Sequence, residues 1–225
     1  MKSFSELAQS VEFSKRGSRT VLKKKDCDLE FIGAGRSAFV FKIRSTDKVL
    51  KVFFPPFAEV AKEEAEVYKV LEETPFYPAL YDSGDNYIVI DYVQGNTLFS
   101  CLEKGIPVTH EYIEKVDEAL MLARKKGLNP SDIHLRNILI TPEDGLKIID
   151  VARFRQTKDC SQWDDLKNAF YKIYSNRIFP NKVPAALLNF IAFIYKKYEA
   201  CLQKIANVKA RRAHRRSFPS GEDCL

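Results

Sequence analysis

The stretch Asp132-Ile133-His134-Leu135-Arg136-Asn137, with the Asp150 that closes the next apolar run, constrains this chain more than any other feature. It sets several metal-seeking or proton-seeking side chains around one hairpin. Two short β-like runs lie between, Ile138-Leu139-Ile140-Thr141 and Leu146-Lys147-Ile148-Ile149. Pro142-Glu143-Asp144-Gly145 joins them, with Pro early and Gly last, which is turn chemistry. If Thr141 pairs with Leu146, Asn137 and Asp150 face each other about 5 Å apart. A one-residue slip at a Gly bulge would still leave both within reach of one oxygen-loving cation such as Mg²⁺. Asp132 lies just upstream in the same loop. Each of these residues also has an ordinary role, Asp132 as a turn cap after Pro130, Asn137 and Asp150 as strand ends. A second, independent constellation near the N-terminus decides between the readings.

That constellation begins at Leu29, where the apolar period becomes two. Leu29-Glu30-Phe31-Ile32, Phe39 to Arg44 and Lys48 to Phe53 read as three strands, with Ser45-Thr46-Asp47 as a turn. Gly33-Ala34-Gly35-Arg36-Ser37-Ala38 follows the first strand. In a dinucleotide fold such glycines lead into a helix, but here the next residues alternate as a strand, which argues against a Rossmann unit. A glycine hairpin flap fits instead, since absent side chains let backbone N–H groups approach phosphate oxygens. Pairing across Ser45 to Lys48 puts Lys42 opposite Lys51 and leaves Val40, Val49 and Lys51 on one face. A lysine among apolar neighbours needs a counter-charge. Glu64, in a helix expected over Glu59 to Leu71, is the expected partner of Lys51, and Glu66, on a different face of that helix, is the alternative.

Two more strands are expected near Ala79 to Asp82 and Tyr87 to Tyr92, before Gln94-Gly95-Asn96 breaks the pattern. Beyond residue 97 the period is helical: Ile113, Val116, Leu120 and Ala123 lead to a stop at Gly127. Trp163 to Tyr174 and Pro184 to Ala206 read as further helices. With 225 residues, 45% hydrophobic and 29% charged, the chain can bury one large core or two small lobes. The expected architecture is α+β, a small β-rich half with one helix followed by a mostly α half.

The longest apolar run, Val183 to Tyr195, falls short of the roughly 20 residues of a membrane span. No membrane partner is therefore expected. The N-terminus lacks an apolar signal core, and five scattered cysteines at 27, 101, 160, 201 and 224 have no metal-ligand spacing. Free thiols in a reducing cytoplasm fit. The net charge of +6 gathers at the ends. Lys15, Arg16, Arg19, Lys23, Lys24 and Lys25 precede the first strand, and Lys209, Arg211, Arg212, Arg215 and Arg216 lie near the C-terminus. Either cluster suits an acidic partner or nucleic acid, and neither is predicted, because no aromatic interleaving marks a base-stacking surface.

These residues, in this order, resemble the protein kinase-like superfamily. The resemblance runs from about Leu29 to Tyr195. It covers the glycine loop with its trailing valine (Gly33, Gly35, Val40), the lysine in Val49-Leu50-Lys51-Val52, a helical glutamate, the strand and hinge over Tyr87 to Val93, the Asp132 to Asn137 loop and Ile149-Asp150. Asp165 near Trp163 is similar to the acidic residue that opens a buried helix in that family. The resemblance implies a bilobal fold, with an N-lobe over 29–93 and a C-lobe over 94–206; outside it, local pattern and charge lead to the expectation of a short helix and basic linker over 1–28 and a basic, disordered tail over 207–225. It implies an ATP-dependent serine/threonine kinase of compact bacterial type. Gly33, Gly35, Val40, Val49, Ile90, Asp91, Val93 and His134 would line the nucleotide. Lys51 held by Glu64 would contact the α- and β-phosphates, Asn137 and Asp150 would bind Mg²⁺, and Asp132 would orient or deprotonate the acceptor hydroxyl.

The chain also departs from the family pattern. His-Arg-Asp is replaced by Pro130-Ser131-Asp132, Asp-Phe-Gly by Asp150-Val151-Ala152, and the third loop glycine by Ala38. His134 stands where such kinases place a lysine, as in atypical and small-molecule kinases. About 14 residues separate Asp150 from Asp165 with no Ala-Pro-Glu motif, too few for a full peptide-docking segment. The expected acceptor is a protein. The alternatives are a small-molecule phosphotransferase of the aminoglycoside or choline kinase type, against which stands the absence of a large acidic insertion, and a nucleotide-binding pseudokinase. Joint retention of Lys51, Asp132, Asn137 and Asp150 argues against the latter.

Overall fold

The structure is a computed structural model describing residues 2–198 apart from 18, 177 and 196. The chain opens with a short helix α1 (Phe4–Gln9), started by a capping box in which Ser3 and Glu6 satisfy each other's backbone N–H groups. A hairpin of β1 (Glu12–Arg16) and β2 (Arg19–Lys24) follows. Then come β3 (Leu29–Ala34), β4 (Ala38–Ile43), β5 (Lys48–Phe53), helix α2 (Ala58–Val70), β6 (Leu80–Ser83) and β7 (Tyr87–Asp91). Strands β3 to β7 form one antiparallel sheet in the order β3-β4-β5-β7-β6. The rest is mostly helical: α3 (Leu98–Lys104), α4 (His110–Lys125) and α5 (Gln162–Ala169), with a small sheet of β8 (Asn96–Thr97), β9 (Ile138–Ile140) and β10 (Leu146–Ile148) between them. A last helix, α6, covers residues 185–195. This is the expected α+β arrangement.

The inner strand β7 of the large sheet is buried on both faces, which explains why it reads as a continuous apolar run instead of an alternating one. On one face Val49, Phe53, Ile88 and Ile90 pack with Ala61, Ala65 and Tyr68 of α2 and with Ile113, Val116 and Leu120 of α4 in one continuous core. On the other, Phe41, Leu50, Val52 and Val89 meet Leu7, Ala8 and Val11 from the N-terminal segment, with Phe13 and Leu22 of the hairpin at the edge. The stretch expected to be a basic linker is therefore an ordered hairpin. Phe13 sits edge-on to Phe54 and tilted against Phe39, and burying Leu7, 1% exposed, contributes about 2 kcal/mol of hydrophobic stabilisation. The cations of this stretch run in consecutive pairs, Lys15-Arg16 and Lys23-Lys24, and only Phe13 and Leu22 turn partly buried side chains to the sheet, so no strand period shows in a composition-based reading.

Two registers differ from expectation. In β4 and β5, Val40 faces Lys51 and Lys42 faces Val49, so Lys42 is not opposite Lys51. The loop is longer because the Arg44 N–H leaves to bond the Asp28 carbonyl, and the Thr46 N–H and hydroxyl both donate to the Ile43 carbonyl. The displacement is two residues, an even number, so Val40, Val49 and Lys51 still share a face. In β9 and β10, Ile140 pairs with Leu146, a one-residue slip. Thr141 closes on Gly145, donating its N–H to the Gly145 carbonyl and accepting the Gly145 N–H at its hydroxyl. Asn137 consequently faces Ile149, whose N–H donates to the Asn137 carbonyl at 2.9 Å.

The expected helix over Trp163 to Tyr174 ends as an α-helix at Ala169 and continues as a π-turn over Phe170–Tyr174. Of the helix expected over Pro184 to Ala206, the part beyond 198 lies outside the described residues, as does the 207–225 tail. None of the described cysteines, Cys27, Cys101 and Cys160, forms a disulfide. Among the described residues no helix is long and apolar enough to cross a membrane.

Candidate active site

Lys51 is the meeting point of the sheet and the helical half. Alternation along β5 turns it to the face that α2 covers, and α2 brings up Glu64 with both carboxylate oxygens bonded to Lys51 Nζ at 2.9 and 2.7 Å. The same ammonium donates to Asp150 Oδ1 at 2.9 Å, across 99 residues of chain. Glu64 is wholly buried, whereas the Asp150 side chain is 53% exposed. One cation thus serves two carboxylates, one dry and one wet.

The electrostatics follow from that imbalance. Burial disfavours the Lys51 ammonium, but Glu64 and Asp150 outweigh it and hold its pKa above the ordinary lysine value. Burial pushes Glu64 up to about 7, with the negative charge of Asp150 adding to the push and Lys51 pulling against it. Lys51, chiefly, holds Asp150 below the ordinary aspartate range against the effect of burial, and His134 and Arg153 add smaller pulls. Asp150 therefore stays ionised, as a ligand for a hard cation must.

The loop from Asp132 to Asn137 is tied together by its own groups. Asp132 takes a left-handed conformation, φ +62°, as does Asp150 at φ +62°. Aspartate tolerates this region better than most residues, and such turns let a side chain leave the strand direction. Asn137, 5% exposed, donates from Nδ2 to the Asp132 carbonyl at 3.1 Å. That bond settles which end of the amide is which and leaves Oδ1 as the oxygen donor. The Asn137 N–H donates to the His134 carbonyl, and the Arg136 N–H donates to His134 Nδ1 at 3.3 Å.

At the glycine loop, Gly33 pairs with Val40, and the Gly35 N–H donates to the Ala38 carbonyl at 2.9 Å. A methyl group on Gly33 or Gly35 would meet nothing closer than 3.9 or 3.7 Å. Internal packing therefore does not require either glycine. The N–H groups of Arg36 and Ser37 at the loop tip have no protein partner among the described residues. On the strands behind, Val49 pairs with Ile90, and Asp91 pairs with Lys48. The Asp91 carboxylate accepts from the Ala79 N–H and the Tyr81 hydroxyl, both at 2.7 Å, and its own N–H donates to the Ala79 carbonyl at 3.2 Å. Val93 follows, half-buried, just before Gly95, where a Cβ would lie 2.3 Å from the Ile140 carbonyl oxygen.

Some participants escape the sequence motifs. Arg153 Nε lies 3.3 Å from Asp132 Oδ2; its one sequence signal is a cation three residues after Asp150. Asn129 straps the loop to the segment after Asp150, accepting nothing there but donating Nδ2 to the carbonyls of Gln156 and Lys158, while its N–H donates to the Phe154 carbonyl. Asp165 does not open a buried helix: it is exposed on α5 and accepts from the Ser161 hydroxyl and the Tyr195 hydroxyl. Only Trp163 of that helix is buried, so Asp165 sits on its wet side.

No family model matches the chain. It is similar to YrzF of Bacillus subtilis (strain 168), named as a serine/threonine-protein kinase, with 47% identity over 193 residues, 85% of this chain and 90% of that protein. It is 29% identical over 151 residues to a protein of Clostridium acetobutylicum named as a serine/threonine-protein kinase, covering 58% of this chain and 22% of that protein. Serine/threonine-protein kinase PknA of Mycobacterium tuberculosis is 32% identical over 119 residues, 46% of this chain and 27% of PknA. The last two matches thus span only a part of much longer proteins, whereas the first extends over most of both chains. On that extended identity, the chain belongs to the serine/threonine protein kinase family of phosphotransferases.

Proposed function

We propose that this protein transfers the γ-phosphate of ATP, with Mg²⁺, to a serine or threonine hydroxyl of a protein. The observation that carries the reading is the Lys51 ammonium held between Glu64 and Asp150. A lysine so fixed is a pre-placed positive charge, and catalysis of phosphoryl transfer is chiefly positioning and charge neutralisation. The donor set suits the cofactor: an ionised carboxylate at Asp150 and an oriented amide oxygen at Asn137 are the hard oxygens Mg²⁺ prefers. The tip N–H groups of Arg36 and Ser37, in a loop whose glycines no internal contact demands, suit phosphate oxygens.

Within this reading, Mg²⁺ when bound offsets charge on the transferred group. Lys51 neutralises the phosphates from the sheet side, with Glu64 holding the amine in place. Asn137 and Asp150 hold the metal. Val40, Val49, Ile90 and the backbone of Asp91 and Val93 enclose the base, and His134 stands near the transferred phosphate. Asp132 orients the acceptor hydroxyl and accepts its proton. The protein would be two-lobed, 29–93 and 94–206, with 1–28 joined to the first lobe, and its thiols suit a reducing cytoplasm.

Incubation with labelled ATP and cell extract tests the proposal. Label in protein bands, lost in Asp150→Ala, is expected; label confined to small metabolites, or none at all, refutes it.

A further inference from the structure

Helix α6 leaves much of its surface uncovered. Leu187, Phe190, Ile191, Phe193, Ile194 and, just beyond, Tyr198 are between 48% and 61% exposed. At 3.6 residues per turn they fill an arc of about 160°. The opposite side is anchored: Leu188 is buried with Phe99 and Val183, and Asn189 accepts from Arg136 Nη2 at 2.7 Å. The exposed arc is therefore held rigidly outward, beside the loop that carries Asp132.

The sequence next to this arc is strongly cationic. From Lys196 to Arg216 it contains eight lysines and arginines against Glu199 alone, while the whole chain has a net charge of only +6. A broad apolar arc rich in aromatic and branched side chains, continued by a cationic block, has the chemistry of a helix lying in the surface of an anionic bilayer. Within the arc itself a cation already meets the apolar surface, with Lys197 Nζ over the Phe193 ring at 5.4 Å from its centroid.

We infer that α6 and the basic segment after it dock this protein on an anionic lipid surface. Charge complementarity favours lipid over a second copy of the chain, which carries the same net charge of +6 instead of an opposite one. The width of the arc favours lipid over a single partner helix, whose seam needs only two positions in seven. The expectation of no membrane partner rested on the lack of a span-length run; a surface contact needs no span. This inference stands apart from the phosphotransfer reading and uses none of its residues.

The test is co-sedimentation of the full-length protein with vesicles of phosphatidylcholine mixed with phosphatidylglycerol, and with phosphatidylcholine alone. Binding is expected to the mixed vesicles only and to fall with added salt. Ile191→Glu with Ile194→Glu, at exposed positions that leave the fold intact by circular dichroism, should weaken binding about tenfold or more. Replacing Arg211, Arg212, Arg215 and Arg216 with glutamine should do the same. Equal binding to neutral vesicles, or unchanged binding by the Ile191→Glu/Ile194→Glu protein, overturns the inference. So does a dimer in light scattering that this variant converts to monomer, which would make α6 an interface between copies. Absence of any vesicle binding also overturns it.

Discussion

Glu64→Gln isolates the electrostatic consequence of placing a carboxylate in a dry site. Glu64 is wholly buried, so water does not screen its interactions. In the unfolded chain it releases its proton at the ordinary value of 4.5, in the fold at about 7. Between those values the folded state binds the extra proton. Its contribution to stability is fully present below 4.5 and is lost as pH rises through about 7. At about 1.4 kcal/mol per pH unit, this group makes ligand-free stability fall by roughly 2 kcal/mol from about pH 5 to about pH 7.5. Glutamine, nearly isosteric with the neutral carboxyl, has no proton to release. The assay is urea unfolding of both proteins across that range, free of nucleotide and metal. At the acid end the two curves should nearly coincide. Towards neutral pH the glutamine protein should become relatively more stable by roughly 2 kcal/mol, while its phosphotransfer falls because Lys51 is held by one oxygen instead of two. A stability difference that stays flat within about 0.5 kcal/mol over the range refutes the reasoning, since it would mean Glu64 titrates alike folded and unfolded.

Lys51→Ala and Asp150→Ala should each reduce phosphate transfer by about a hundredfold or more, read by labelled-ATP incorporation, whereas Asp132→Ala should leave nucleotide affinity unchanged in a direct binding assay. Gly95→Ala should destabilise the protein by about 2 kcal/mol in urea unfolding, because the new Cβ meets the backbone carbonyl of Ile140. Gly35→Ala should leave stability within about 0.5 kcal/mol and instead raise KM for ATP, since within the protein its methyl group makes only an ordinary 3.7 Å contact with the Ala38 carbonyl oxygen. Arg153→Ala releases the Asp132 carboxylate and should lower kcat about tenfold with KM for ATP unaltered; a change confined to KM for ATP would show that Arg153 serves the nucleotide instead.

Much of this protein was legible in its residues. The period of two from Leu29 to Phe54, the helix bearing Glu64 and the turn before Gly145 are local patterns, set by the geometry of strands and helices and by turn chemistry over a few residues. The face that Lys51 occupies was equally readable, because alternation survives an even displacement of register. The odd slip in β9 and β10 was not readable, since it hangs on whether Thr141 closes on Gly145 or Leu146, a choice of one hydrogen bond.

Only the tertiary structure decided the long-range contacts. The residues before Leu29 become a cover for the second face of the sheet because the Phe41, Leu50 and Val89 side chains there must be shielded from water, a demand that their distant sequence does not announce. Likewise the Arg153 contact to Asp132 and the sharing of one ammonium between Glu64 and Asp150 depend on chain closure over many residues. Composition and spacing determine which charges the chain owns. How dry each one becomes, and therefore what it can do, is determined by what folds over it.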